Sequence, residues 1–137
     1  MIDLAMIWGI LLAVAVLAYV ILDGFDLGVG ILFRTARSED ERGVMMNSIA
    51  PVWDGNETWL ILGGGGLLAA FPQAYAIIMP ALYMPLTLML LALVFRGVAF
   101  EYRWRTDRWK GLWDRGFFYG SVVAALCQGI MLGAFIQ

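Results

Sequence analysis

Two carboxylates at the start of an apolar stretch, Asp54 and Glu57, are the residues of this sequence best suited to chemistry. The uncharged run that follows, 58–71, would be about 21 Å long as a helix, against roughly 30 Å for the hydrocarbon core of a membrane. A helix beginning at Pro51 would reach about 31 Å and would carry both carboxylates inside the lipid boundary. A partly desolvated acid can accept and release protons near neutral pH. We therefore expect Asp54 and Glu57 to belong to a proton pathway.

A second pair of carboxylates, Asp23 and Asp26, has the same spacing, which places both on one face of a helix. They lie towards the end of the first apolar run, and Arg96 and Glu101 follow the third, so these polar groups are expected at one side of the membrane. We assign Asp23 and Asp26 to the same proton pathway. The alternative is that all these residues are helix-end charges, with Arg96 extending its side chain to the headgroups.

The elements that position these residues are predicted to be membrane-spanning helices. The chain of 137 residues is 62% hydrophobic and 15% charged, with a mean hydropathy of +0.81, which is too apolar for a soluble domain of this size. We predict an all-α polytopic membrane protein, with residues 1–137 forming one transmembrane domain. The four predicted spans are 4–33, 51–71, 74–95 and 116–136. Pro80 and Pro85 should bend the third span.

The basic residues predict the orientation of the chain. All of the nine except Arg96 follow closely on the first or the third span. By the positive-inside rule the connections 34–50 and 96–115 are cytoplasmic, and the N-terminus and C-terminus both lie outside. Trp104, Trp109 and Trp113 among these arginines are typical of a short helix at the headgroup level. The net charge of −2 argues against nucleic acid as a partner.

The sequence has few residues that could hold a metal. It contains no histidine, and its single cysteine, Cys127, is expected to be a small buried residue of the fourth span. A His-ligated haem or an iron–sulfur cluster therefore cannot be built from this chain, and any redox centre must belong to a partner. On the residues alone, half of a proton-coupled transporter or a purely structural assembly subunit remain alternatives.

Three segments resemble one protein family. They are Asp-Gly-Phe-Asp-Leu-Gly-Val-Gly at 23–30, Asn-Ser-Ile-Ala-Pro-Val-Trp-Asp-Gly-Asn-Glu-Thr-Trp at 47–59, and Phe-Arg-Gly-Val-Ala-Phe-Glu at 95–101. In order and position they resemble subunit II of the cytochrome bd quinol oxidases. Subunits of that family have about eight helices, so the four spans correspond to the N-terminal half.

The resemblance implies a multi-pass subunit of a terminal oxidase in a bacterial or archaeal inner membrane, which is not catalytic alone. It implies that haems b and d lie in a partner, subunit I, that quinol is the substrate, and that lipid and small single-helix subunits are further partners. It places Asp54 on a proton-uptake route. It also implies support of the haem region or contact with the partner subunit for Arg96, Glu101, Asp114, Trp53 and Asn56.

The predicted orientation can be tested with single cysteines in a Cys127→Ser background. Glu39→Cys and Asp107→Cys should resist a membrane-impermeant maleimide added to intact cells, because both lie in the cytoplasmic connections, and should react after permeabilisation. Gln73→Cys lies in the turn between the second and third predicted spans, which this orientation places outside, so it should react in intact cells and is the control. Ready labelling of positions 39 and 107 in intact cells would overturn the orientation.

Overall fold

The computed structural model describes residues 3–106 and 108–136, and within these ranges every regular element is a helix. The helices are α1 (Leu4–Leu32), α2 (Glu39–Ile49), α3 (Trp53–Ala70), α4 (Pro72–Ala81), α5 (Tyr83–Tyr102) and α6 (Lys110–Ile136), with a 3-10 turn at Phe33–Thr35. The predicted all-α class is confirmed. Asp107, predicted to be cytoplasmic, lies outside the described residues.

Three stretches of the described chain are long and apolar enough to cross a membrane: Leu4–Thr35, Tyr83–Tyr102 and Lys110–Ile136. They correspond to the first, third and fourth predicted spans. Helix α3 has 18 residues, but its first two turns carry Asp54, Asn56 and Glu57, which lower its hydropathy. The crossing of α3, and with it the count of four spans, stays a prediction, as does the orientation of the termini.

The third predicted span, 74–95, is divided in two. Helix α4 ends at Ala81 and α5 begins at Tyr83, with Pro80 inside the end of α4 and Pro85 in the first turn of α5. Each proline removes a backbone donor and crowds the preceding turn, so the helix cannot continue straight through Leu82. The predicted bend is therefore confirmed, as a break between two helices.

The helices that carry the third and fourth predicted spans differ from the prediction in two of their bounds. Helix α5 continues to Tyr102, so Arg96 and Glu101 belong to the helix and not to a connection at 96–115. Helix α6 begins at Lys110, before the predicted start at 116, and includes Asp114. The predicted span ended where the first charged residue lowers the hydropathy. In the structure, Ala99 and Phe100, beyond that residue, are still buried on α5.

The connections also differ from the prediction. The segment 34–50 contains α2, which begins after Ser38, whose side chain accepts a hydrogen bond from the Glu41 amide at 3.2 Å. No separate helix carries the tryptophans within the described residues: Trp104 and Trp109 lie in turns, and Trp113 is part of α6. Helix α5 ends at Tyr102, and the next residue, Arg103, forms ion pairs inside the protein.

Two apolar clusters hold the helices together. In the first, Leu27 of α1, Met89 and Leu93 of α5, and Ala124 and Cys127 of α6 pack together, which confirms that Cys127 is a buried residue. The second lies at the charged end, where side chains of α2 meet those of α5 and α6. Its buried members are Phe33, Met46, Ile49, Ala99, Phe100 and Phe117. The second cluster fixes α2 against the end of the bundle.

Gly120 allows α5 and α6 to approach closely. A Cβ atom at this position would lie 2.9 Å from the carbonyl oxygen of Ala92 and 3.2 Å from Cβ of Arg96. Small residues at such contacts let the backbones of membrane helices meet. The same contact brings the Arg96 side chain onto α6.

We predict that Gly120→Ala lowers the free energy of unfolding by about 1–3 kcal/mol, because the added methyl group meets backbone atoms that cannot move independently. Gly129→Ala on the same helix is the control, since nothing lies within 4 Å of its added Cβ. That control should change stability by no more than about 1 kcal/mol and in the stabilising direction. Thermal unfolding in detergent measures both, and equal melting temperatures for the two variants would contradict the contact.

Candidate functional site

The candidate site is a group of charged side chains buried among apolar helices. Asp23 and Asp26 of α1 and Arg96 of α5 are 0%, 1% and 1% exposed, and Glu57 of α3 is partly buried beside them. We call these four residues the inner cluster. The predicted shared face of Asp23 and Asp26 is confirmed, because both side chains are buried in the bundle.

Arg96 connects three helices at the inner cluster. Its Nε donates a hydrogen bond to Oγ of Ser121 on α6 at 2.9 Å, and its Nη1 lies 3.5 Å from Oε1 of Glu57 on α3. The guanidinium carbon also lies 5.2 Å from the ring centre of Phe117. The alternative in which Arg96 extends to the headgroups was wrong, since these partners hold the side chain inside the protein.

Asn56 joins α3 to α1. Its Nδ2 donates to Oδ2 of Asp26 at 2.9 Å and to the backbone carbonyl oxygen of Leu22 at 3.3 Å. Trp53, one turn earlier, packs on Phe100 of α5 with ring centres 5.2 Å apart. Asn56 and Trp53 therefore make contacts within this chain, and these contacts hold the start of α3 against α1 and α5.

Asp23 has no such partner. Neither of its carboxylate oxygens, nor Nη2 of Arg96, has a hydrogen-bond partner among the described residues, although all three atoms are buried. Buried polar atoms in native proteins are almost always paired with protein groups or ordered water. A carboxylate in this position requires a proton, a water molecule or a further group, and each of these is compatible with proton transfer.

Tyr19 and Gln128 extend the buried polar groups beyond the inner cluster, and neither was predicted from the sequence. Tyr19 is buried one helical turn before Asp23, and its hydroxyl accepts a hydrogen bond from Nε2 of Gln128 on α6 at 2.8 Å. The signal was present in the sequence, because Tyr19 lies four residues before Asp23 on the same helical face. Gln128 is an amide in the middle of an apolar helix.

Asp54 and Glu101 lie outside the inner cluster. Both are exposed on this chain, and neither side chain forms a hydrogen bond or ion pair within the described residues. Asp54 precedes Glu57 by about one turn of α3 but points to the surface, whereas Glu57 turns towards Arg96. The structure thus separates the predicted pair into a surface carboxylate and a partly buried one.

A second group of charges lies nearer the end of the bundle. Arg103 is fully buried and forms ion pairs with Asp114 of α6 and Glu39 of α2. Glu39 also lies 3.0 Å from Nζ of Lys110. We call these four residues the outer cluster. Asp114, predicted to support the haem region, is held by Arg103, which was predicted only to be a basic residue of the connection.

The outer cluster changes the ionisation of Glu39. Burial opposes ionisation, but the Lys110 hydrogen bond and the Arg103 charge outweigh it and lower the pKa of Glu39 below its ordinary value. Glu39 in its charged form therefore ties α2 to the start of α6 and to the chain just after α5.

Comparison with known proteins identifies relatives over nearly the whole chain. The family described as cytochrome bd terminal oxidase subunit II matches residues 4–137. The chain is 45% identical to cytochrome bd-I ubiquinol oxidase subunit 2 of Escherichia coli strain K12, over 98% of the chain and 36% of that protein. It is 43% identical to cytochrome bd ubiquinol oxidase subunit 2 of Bacillus subtilis, over 91% of the chain and 38% of that protein. The chain thus spans little more than a third of the length of these relatives.

The ionised form of Glu39 should make stability depend on pH. A carboxyl group whose pKa is lowered by folding stabilises the protein above its unfolded pKa of about 4.3 and loses this contribution as the pH falls further. Wild type should therefore melt at a higher temperature than Glu39→Gln near pH 6, and the difference should shrink below about pH 4.3. Asp40→Asn is the control, as an exposed acid of the same turn. A difference that is constant with pH would refute the assignment.

Proposed function

Because the chain belongs to the cytochrome bd terminal oxidase subunit II family, we propose that it forms part of a respiratory quinol:dioxygen oxidoreductase. In this proposal the chain is not catalytic alone. It assembles in a bacterial or archaeal inner membrane with subunit I, and quinol in the membrane supplies the electrons. Small single-helix subunits and lipid are further partners.

The haems are proposed to lie in subunit I, because the residues of this chain do not fit them. The chain has no histidine, and Cys127 is packed in the first apolar cluster. Haems b and d in the partner would supply electron transfer and the reduction of dioxygen to water. The part proposed for this chain is to hold protons, to move them and to support the partner.

The observation that carries the proposal is the imbalance of charge in the inner cluster. Three carboxylates, those of Asp23, Asp26 and Glu57, face the single guanidinium of Arg96. Full ionisation would leave two uncompensated negative charges among apolar helices, which is costly. Bound protons remove this cost, so the cluster is suited to take up protons and pass them on.

The arrangement suggests an order for the transfer. Asp54 is exposed at the start of α3, where water or a group of the partner can reach it, and Glu57 follows one turn later at the edge of the inner cluster. The carboxylate of Asp23, which lacks a protein partner among the described residues, is the next acceptor. We propose a route from Asp54 through Glu57 to Asp23, with Asp26 held in place by Asn56.

The remaining predicted residues are proposed to support the interface with subunit I. Trp53 and Asn56 fix the start of α3, which carries Asp54, and Arg96 fixes α3 to α5 and α6. Asp114 stabilises the turn after α5 through Arg103. Glu101 is exposed on α5 and is available to a partner.

We also propose that the chain crosses the membrane four times, with α3 and the α4–α5 pair as the second and third spans. The basic residues around α2 and before α6 support a cytoplasmic position for the charged end of the bundle. Protons for the reduction of dioxygen would then enter from the cytoplasm at Asp54.

Asp54→Asn tests the mechanism, because the amide keeps the size of the side chain and removes the carboxylate that would carry a proton. In the assembled complex, oxygen consumption with quinol, normalised to haem, should fall by at least about tenfold, or about 1.4 kcal/mol in barrier. Haem content should stay the same, and Asp54→Glu should recover part of the rate. Asp40→Asn, an exposed acid of α2, is the matched control and should keep full turnover.

Other results would favour the other classes of function. Wild-type turnover in Asp54→Asn would make Asp54 a helix-end charge, and loss of haem together with activity would give it a structural role. A purified complex without haem that carries out proton-coupled transport would replace the oxidase with the transporter alternative.

A further inference from the structure

A cavity of about 320 Å³ opens at the charged end of the bundle, between the end of α1, α2 and the first turns of α6. Its walls combine guanidinium groups with aromatic rings. The side chains that matter are Arg34, Arg42, Arg115, Phe33, Phe118 and Tyr119. This volume lies in the range of about 300–1,000 Å³ typical of small-molecule sites. Neither the inner cluster nor the proposed proton route uses this cavity.

The charge of the cavity is strongly positive. Asp114 also lines it, but that carboxylate is paired with Arg103. Within the described residues, no carboxylate lies within ion-pair distance of Arg34 or Arg115. Arg42 lies 3.6 Å from Glu39, which it shares with Arg103 and Lys110. The cavity therefore has guanidinium groups available to bind an anion, and the described residues provide no carboxylate to pair with Arg34 or Arg115.

The position of the cavity indicates which anion fits. It lies where the apolar helices α1 and α6 meet the basic connections, and the exposed side chains of Leu32 and Leu112 lie nearby on these helices. Tyr119 is 53% exposed, and the guanidinium of Arg34 lies 5.3 Å from the ring centre of Phe118. Aromatic residues mixed with arginines are typical of the headgroup level of a membrane, where lipid chains and water meet.

We propose that this cavity binds the phosphodiester headgroup of an anionic phospholipid. The guanidinium groups of Arg34, Arg42 and Arg115 contact the phosphate oxygens, and the rings of Phe118 and Tyr119 pack on the glycerol and the first methylene groups. Guanidinium groups form strong charge-assisted hydrogen bonds with phosphates, and basic pockets between membrane helices on the cytoplasmic side are suited to acidic headgroups.

The phosphodiester of a phospholipid fits this cavity better than a free phosphate ion or an acidic protein segment. A free phosphate ion would leave the aromatic wall and the neighbouring apolar helix surfaces without a partner. An acidic segment of another protein would have to enter at the headgroup level, where lipid is already present. The proposal rests on the membrane position of the chain and is independent of the proton route.

The test measures lipid retention on the purified membrane complex that contains this chain. The complex is delipidated in detergent, incubated with phosphatidylglycerol or phosphatidylcholine, and examined by native mass spectrometry. Wild type should retain phosphatidylglycerol in preference to phosphatidylcholine. The double variant Arg34→Gln/Arg115→Gln should bind phosphatidylglycerol at least about tenfold more weakly, since each basic residue near an acidic headgroup contributes substantially to binding.

The matched control is Arg37→Gln/Arg105→Gln, which removes two exposed arginines from the same connections but none from the cavity. This control should bind as wild type does. If both double variants bound phosphatidylglycerol equally weakly, the effect would come from general surface charge, and the proposed site would be wrong. Equal retention of the two lipids would overturn the role of the phosphate charge, and displacement of lipid by millimolar inorganic phosphate would make it a free-anion site.

A cross-linking experiment covers the possibility that the double variant is poorly produced. Tyr119 is replaced by the photoreactive p-benzoylphenylalanine in the otherwise wild-type complex, and the adducts are identified by mass after irradiation in native membranes. A phosphatidylglycerol adduct supports the proposal. A peptide adduct from another subunit in place of lipid would show that protein fills the cavity, and would overturn it.

Discussion

The buried guanidinium of Arg96 is the interaction on which the charged end of this protein depends. It sits among three carboxylates in apolar surroundings and bonds to Ser121 and Glu57 on two other helices. Removing a buried charge that compensates others leaves those others unpaired, which costs far more than the loss of one contact. The packing of α5 and α6 follows from this need, because Gly120 gives Arg96 the space to reach across.

Arg96 and Arg103 divide the polar residues into two layers with different properties. The two arginines are seven residues apart, which places them on one side of α5 and its continuation. Arg103 pairs with two carboxylates, those of Asp114 and Glu39, and these ion pairs connect α2 to α6, although its Nη1 has no partner among the described residues. Arg96 faces more carboxylates than it can balance. Only the inner layer therefore combines burial with a surplus of acid, which is the condition for storing protons.

The sequence predicted the helical class, the shared face of Asp23 and Asp26 and the interruption at the prolines, because these depend on hydropathy and local geometry. It misplaced the end of α5 and the start of α6, since hydropathy cannot detect that Arg96 and Asp114 will find partners inside the protein. It could not show that Asp54 is exposed and Glu57 partly buried. The two lie one helical turn apart, and only the structure shows that Glu57 meets Arg96, which is 39 residues further along the chain. The spacing of Tyr19 to Asp23 was visible in the sequence, but its contact with Gln128 was not, because that contact joins residues 109 positions apart.

The two layers also explain why an acid on the surface can matter to a buried cluster. On the proposed route, a proton that reaches Asp23 would pass from water to a group surrounded by apolar side chains, and each step would need an acceptor along the way. Asp54 and Glu57 lie one turn apart on a helix whose start is fixed to α1 by Asn56 and to α5 by Trp53. That anchoring restrains the start of α3 next to the inner cluster. Trp53 and Asn56, two of the residues that the family resemblance connects with support, thus hold the acidic start of α3 in place. In the proposed function, support and proton transfer are therefore parts of one arrangement.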